Sequence, residues 1–193
     1  MYGRDGAHFE DLYTRAMSRP RAPYRIIFIC TGNICRSPAA ENIFREHARR
    51  AGILAELEID SAGTGDWHEG EDPDHRSADA LRESGYSVEG RARGLRATDF
   101  AHHDLFVCMD RSHVRDVVAR GAPRERVVLV RHFDDARNHD DVPDPYYGGR
   151  DGFTEMIAML EAAMDGLVAR VRTEIERGRG EREGGHGGGH DGV

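Results

Sequence analysis

The sequence predicts an α/β domain, a three-layer doubly wound sandwich with a short four-stranded parallel sheet and helices on both faces. Three observations carry this. Apolar, β-branched runs alternate with amphipathic helical stretches through the middle of the chain. The runs are continuously apolar rather than alternating, as expected of strands covered on both faces. The first run ends on a cysteine that opens a turn into a helix, at the strand end where such sheets place their ligands. A length of 193 residues fits one such domain with short extensions.

Taken in order, Arg25-Ile26-Ile27-Phe28-Ile29 reads as a buried strand. Pro38–Arg50 reads as a helix with Ser37 at its N-cap and Pro38 at the tolerated first position. Glu56–Ser61 is the second expected strand, followed by the glycine-rich Ala62-Gly63-Thr64-Gly65. His75–Ser84 is helical and stops at Gly85. Asp104–Met109 forms a short strand, Ser112–Arg120 a helix ending at Gly121, and Val127–Val130 a last apolar strand. After a long polar loop, Thr154–Glu176 makes the longest helix. Right-handed crossovers connect parallel strands of this kind.

The domain therefore spans residues 24–177. Residues 1–23 precede it as an extension in which Phe9, Leu12, Tyr13, Ala16 and Met17 share one face of a short amphipathic helix, ended by Pro20 and Pro23. Residues 178–193, rich in glycine with His186 and His190, lack apolar surface to bury and are expected to be disordered. Two histidines on such a tail fall short of the three or four fixed ligands of a metal site.

The formal net charge of -8 gives no electrostatic support for nucleic-acid binding. All 27 basic residues are arginine. Three cysteines are too few for a disulfide framework, which points to a reduced, cytoplasmic setting. No signal-type segment and no apolar run of about 18 residues occurs, so neither secretion nor a membrane partner is expected. The expected state is a monomer or weak dimer, without cofactor.

The chemistry concentrates in Cys30-Thr31-Gly32-Asn33-Ile34-Cys35-Arg36-Ser37. Five residues between the cysteine and the arginine let the backbone of Thr31, Gly32, Asn33, Ile34 and Cys35 wrap a tetrahedral oxyanion. The Cys30 thiol then lies beneath the anion and the Arg36 guanidinium flanks it. Backbone N–H groups, the helix dipole and Arg36 favour the anionic, nucleophilic form of the sulfur. Gly32 permits close approach of the backbone. Asn33 tolerates left-handed angles and locks the loop through its amide, and Ser37 donates to the sulfur and eases its departure. A thiolate attack on phosphorus also needs an acid for the leaving oxygen. Asp144, fixed between Pro143 and Pro145 and followed by Tyr146 and Tyr147, fits that need.

Together, Ile29 to Glu41 and Asp144-Pro145-Tyr146-Tyr147 resemble the low-molecular-weight protein tyrosine phosphatases. Ser61-Ala62-Gly63-Thr64, Trp67-His68, Phe100 to Asp110 and Gly152-Phe153 add to the likeness, which covers residues 24–175 in order. The resemblance implies no metal, a phosphocysteine intermediate and a phosphotyrosine-containing protein as substrate. It assigns Cys30 as nucleophile, Arg36 as phosphate clamp and Asp144 as general acid and then base. Asn33 and Ser37 would order the loop, while Ile34, Trp67, Tyr146 and Tyr147 would shape an aromatic slot.

Three rivals remain. Arsenate reductases of related fold share the cysteine loop but relay a disulfide through further downstream cysteines, and only Cys108 lies downstream here. Phosphoarginine phosphatases resemble this chain too, but typically carry threonine at the place of Ile34 and lack a second tyrosine. A non-catalytic phosphate-binding module would be expected to lack Cys30, Arg36 or Asp144. Cys35 is a redox candidate, able to shelter Cys30 as a reversible disulfide, or else a loop residue filling space. Cys108, within an apolar run, reads as a buried hydrophobe. Glu41 either supports the loop or favours its helix start. His68 and His75 flank Trp67 and could tune entry, whereas His47, His102, His103, His113, His132 and His139 read as quiet.

Overall fold

The computed structural model of the chain describes residues 22–183. Strands β1 (Tyr24–Cys30), β2 (Leu57–Gly63), β3 (Leu105–Cys108) and β4 (Val127–Leu129) alternate with helices α1 (Arg36–Arg50), α2 (His75–Glu83), α3 (Asp99–His102), α4 (Arg111–Ala119) and α5 (Arg150–Glu183). Short 3-10 turns occupy Leu54–Glu56, Arg124–Arg126 and Val130–Phe133. All strand pairings are parallel, in the order β2-β1-β3-β4. No helix among the described residues is long and apolar enough to cross a membrane.

The continuous apolar strands divide their side chains between two cores, as pleating requires. Ile26, Phe28, Leu105 and Val107 face α1 and α5, packing with Ile43, Phe44, Phe153, Leu160 and Leu167. Ile27, Ile29, Phe106 and Cys108 face the opposite side and meet Val114, Val117 and Val118 of α4. The three-layer expectation therefore holds, and Cys108 is the buried hydrophobe it reads as.

Several boundaries differ for identifiable reasons. Val130 leaves the sheet for a 3-10 turn, where its side chain still reaches the core. Ser37 is not the N-cap of α1; Cys35 holds that position without a side-chain cap, and the Ser37 hydroxyl is engaged elsewhere. The last helix continues past Glu176 to Glu183, so residues 178–183 are helical rather than disordered. Val171 and Ile175 are buried in the turns just before this stretch, and Glu174 pairs with Arg170 at 2.8 Å and also with Arg177. These contacts, with Arg179 bound to Glu56, carry the helix through Gly178 and Gly180. The expected amphipathic helix around Phe9–Met17 and the end of the tail lie outside the described residues.

The fold gathers three strand ends on one side. Cys30 ends β1, Gly63 ends β2, and Cys108-Met109-Asp110 leads β3 into α4. Val142 N–H donates to the Met109 carbonyl at 2.8 Å, which brings the loop carrying Asp144 to the same edge.

Candidate active site

Between β1 and α1 the chain turns tightly enough that every residue from Asn33 to Ser37 is buried. The turn depends on Asn33, the one described non-glycine residue with positive φ, at 56°. Its buried amide is fully used. Nδ2 donates to Ser37 Oγ at 2.8 Å and Ser61 Oγ at 2.9 Å, while Oδ1 accepts from the Arg93 N–H at 2.9 Å. Ser61 Oγ in turn donates to Glu41 Oε2 at 2.7 Å. Burial raises the Glu41 carboxyl above the usual range, opposed by its hydrogen bonds from Ser61 and Arg45.

This network ends on the sulfur. Ser37 Oγ lies 3.0 Å from Cys30 Sγ. Because that oxygen already accepts from Asn33, its own proton is free to point at the sulfur. The Asn33 N–H also points at Cys30 Sγ, at 3.3 Å. From below, Thr64 N–H and Gly65 N–H donate to the carbonyls of Cys30 and Thr31 at 2.8 and 2.9 Å. A Cβ on Gly63 would fall 2.6–2.7 Å from the Gly65 and Thr31 carbonyl oxygens, so this strand end has to be glycine.

Arg36 is buried and forked. Nη1 donates to Asp110 Oδ2 at 2.9 Å and the Val142 carbonyl at 3.2 Å; Nη2 donates to Thr31 Oγ1 at 3.2 Å and Asp144 Oδ2 at 2.6 Å. Burial alone would push the Asp110 carboxyl up, yet hydrogen bonds from Ser112 and His113 and the Arg36 charge hold it below the usual range. Asp144, with a side chain 42% exposed, also accepts from the Tyr146 N–H at 3.0 Å.

One cavity of about 370 Å³ is lined by Cys30, Thr31, Gly32, Ile34, Cys35, Arg36, Trp67, His68, Asp144, Tyr146 and Tyr147. Apart from Asn33 and Ser37, which act from behind the loop, it holds the residues the sequence assigns to the cysteine loop, the acid and the aromatic slot; His75 and Glu41 are not in its lining. The aromatic residues form its lip rather than its floor: Trp67 is 64% and Tyr147 95% exposed. Tyr146 meets Tyr147 edge-on with ring centres 5.1 Å apart, and Arg76 braces it from beneath, 5.2 Å from the ring centre. A larger recess of about 560 Å³ along β2 and α3, lined by Glu58, Asp60, Arg93 and His103 among others, has no cysteine in its lining. Among the described residues, no group of three or more His, Cys, Asp or Glu side chains is placed to hold a metal ion.

The sequence motifs of the family model for low molecular weight phosphotyrosine protein phosphatases match residues 25–177. The chain belongs to this family. The phosphatase is 49% identical over 159 residues to a low molecular weight protein-tyrosine-phosphatase of Streptomyces coelicolor, covering 79% of this chain and 96% of the relative. It is 42% identical over 157 residues to low molecular weight protein-tyrosine phosphatase A of Mycobacterium tuberculosis, covering 80% and 96%. A protein tyrosine phosphatase from Entamoeba histolytica, crystallised with Hepes in its active site, superimposes with a TM-score of 0.75 at 32% identity, over 78% of this chain and 98% of that one. The protein is thus a hydrolase of phosphoric monoesters, with phosphoproteins as the substrate class its family implies.

Three contributors to this phosphatase's site escape a reading from sequence. Asp110 and His113 approach Arg36 and Thr31 from the start of α4, and Arg93 supplies a backbone donor to Asn33 from an irregular stretch. Asp110 and His113 carry a weak signal in hindsight, since they follow β3 at the same sheet edge as Cys30. Arg93 carries none.

Proposed function

We propose that the enzyme hydrolyses phosphotyrosine in proteins through a phosphocysteine intermediate on Cys30. The observation that carries this is a single cavity holding a buried cysteine sulfur, a buried arginine and a half-exposed aspartate, rimmed by three aromatic rings. The loop amides and Arg36 hold the phosphoryl oxygens. The Cys30 thiolate attacks phosphorus, the P–O bond to the phenol breaks, and Asp144 gives its proton to the departing oxygen. Water then attacks phosphorus and surrenders a proton to Asp144. The P–S bond breaks, and the sulfur leaves as a thiolate that accepts a hydrogen bond from the Ser37 hydroxyl.

Asp144 is paired with Arg36 at 2.6 Å. An arriving phosphoryl dianion takes over that guanidinium and frees the carboxyl to act as an acid. Ile34 and the Tyr146–Tyr147 pair favour a flat aryl ester over a guanidinium phosphate. Cys35 lies in the same loop, and burial raises its thiol well above the usual range. It remains the candidate partner for a protective disulfide with Cys30. The setting is cytoplasmic, in keeping with free thiols at Cys30, Cys35 and Cys108.

Turnover of matched phosphotyrosine and phosphoarginine peptides tests the substrate. Preference for phosphotyrosine, abolished by alkylating Cys30, is expected. Preference for phosphoarginine, or activity that survives alkylation, contradicts the reading.

A further inference from the structure

His113 is buried, on α4, with no place in the chemistry above. Its Nε2 lies 2.9 Å from Thr31 Oγ1, the hydroxyl of the first loop residue after the cysteine. Its Nδ1 lies 3.2 Å from Asp110 Oδ1 but has no well-aligned hydrogen bond to any described group. Thr31 Oγ1 accepts from Arg36 Nη2, and Arg36 Nη1 donates to Asp110 Oδ2. The four side chains close a ring: Asp110, His113, Thr31, Arg36 and back to Asp110 through its second oxygen.

Only one arrangement of protons suits this ring. A bare Nδ1 lone pair facing a carboxylate at 3.2 Å in a buried site is repulsive, so Nδ1 carries the hydrogen. Nε2 is then an acceptor, and the only proton Thr31 has to give points at it. With the hydroxyl hydrogen committed to His113, the oxygen lone pairs turn towards Arg36. Burial is the main reason His113 is pushed down to about 4, with Asp110 opposing, so its imidazole is neutral at neutral pH.

We propose that His113 is a positioning residue that aims the Arg36 guanidinium through the Thr31 hydroxyl. Hydrogen bonds to a fixed fork of N–H donors set its plane before the substrate arrives, which is where preorganised charge contributes most. Asp110 grips one arm of the fork, and His113 with Thr31 orients the other. Asp144, on the exposed side, is then the partner that the phosphoryl group displaces without the guanidinium turning. This inference rests on Arg36 being the phosphate clamp.

The test uses full-length protein, p-nitrophenyl phosphate as substrate and orthovanadate as a probe of the clamped geometry. A glutamine amide reaches the place of Nε2, whereas an asparagine amide reaches only that of Nδ1. His113→Ala and His113→Asn are expected to lower kcat/KM about tenfold and to weaken orthovanadate inhibition by a similar factor. His113→Gln should stay within about threefold of the wild type. Thr31→Val should match His113→Ala, and the double variant should be no more than about twofold worse than either, because both break one ring. The inference is overturned if His113→Ala keeps full activity and orthovanadate affinity. It is equally overturned if Gln is as impaired as Ala, or if the Thr31 and His113 losses multiply. Should the alanine variant not fold, the Gln, Asn and Thr31→Val comparison decides alone. Arg36→Lys separates the two levels: an intact Arg36→Lys enzyme removes the clamp itself, while a crippled one beside indifferent His113 variants removes only the positioning role.

Discussion

The two loops that meet over the cavity are built in opposite ways. From Cys30 to Ser37 the chain is almost wholly buried, its one left-handed residue pinned by three side-chain hydrogen bonds, and its sulfur reached through a Glu41–Ser61–Asn33–Ser37 chain. From Pro143 to Gly149 most of the chain is exposed, anchored by buried Val142 and then by little more than Arg36 on Asp144 and Arg76 under Tyr146. A cradle for an oxyanion has to be in place beforehand, because its contribution comes from dipoles that need not reorganise. An acid has to exchange partners during the cycle, holding Arg36 when ionised and the leaving oxygen when protonated. Rigidity suits the first task and exposure the second.

That contrast can be broken from either side. The largest effect is expected from Cys30→Ser, which keeps the cradle and replaces its sulfur; kcat should fall on the order of 10⁴-fold or more while orthovanadate still binds. Asp144→Ala should lower kcat by about 10² to 10³-fold for a phenol that leaves poorly. The loss should be much smaller for p-nitrophenol, which leaves without help, and steady-state rates on the two esters give the ratio.

The buried side should also be the acid-sensitive one. His113 is pushed below its ordinary value in the folded protein, so its contribution is complete above about pH 6.5 and is lost as pH falls towards about 4. Wild type should lose roughly 2 kcal/mol more stability than His113→Gln between about pH 7 and pH 5, read from urea unfolding at each pH. Ser61→Ala strands the Asn33 amide and the Glu41 carboxyl, and should lower stability by about 1 kcal/mol and kcat/KM a few-fold. Tyr147→Ala, at a residue 95% exposed, should leave the melting temperature unchanged. Its effect should be an increase of about twofold to fivefold in KM for a phosphotyrosine peptide.

Much of this was legible in the chain because its signals are local. The strand that ends on Cys30, the spacing to Arg36, and Asp144 set between prolines are all contained in short windows, and the cavity unites them. Asn33 was readable because asparagine is one of the few residues at home with positive φ. Ser37 reads both as a helix cap and as a partner of the sulfur; its hydroxyl is taken up by Asn33 and Cys30, so only the cap role fails. The contributions of Asp110, His113 and Arg93 were hidden because each comes from an element distant in sequence, brought near only by the parallel crossover. Helix α5 outran its expected end because pairs such as Arg170 with Glu174 lie along it and Arg179 reaches Glu56 from another element, and glycine counts register neither.

The central claim is that Cys30 sulfur carries the phosphoryl group between two half-reactions. Rapid acid quench of enzyme mixed with ³²P-labelled phosphotyrosine peptide, followed by peptide mapping, tests it directly. Label on the Cys30 peptide, appearing before inorganic phosphate and absent from Cys30→Ser, is the expected result. Release of phosphate at full rate with no label on protein at any time point would contradict it.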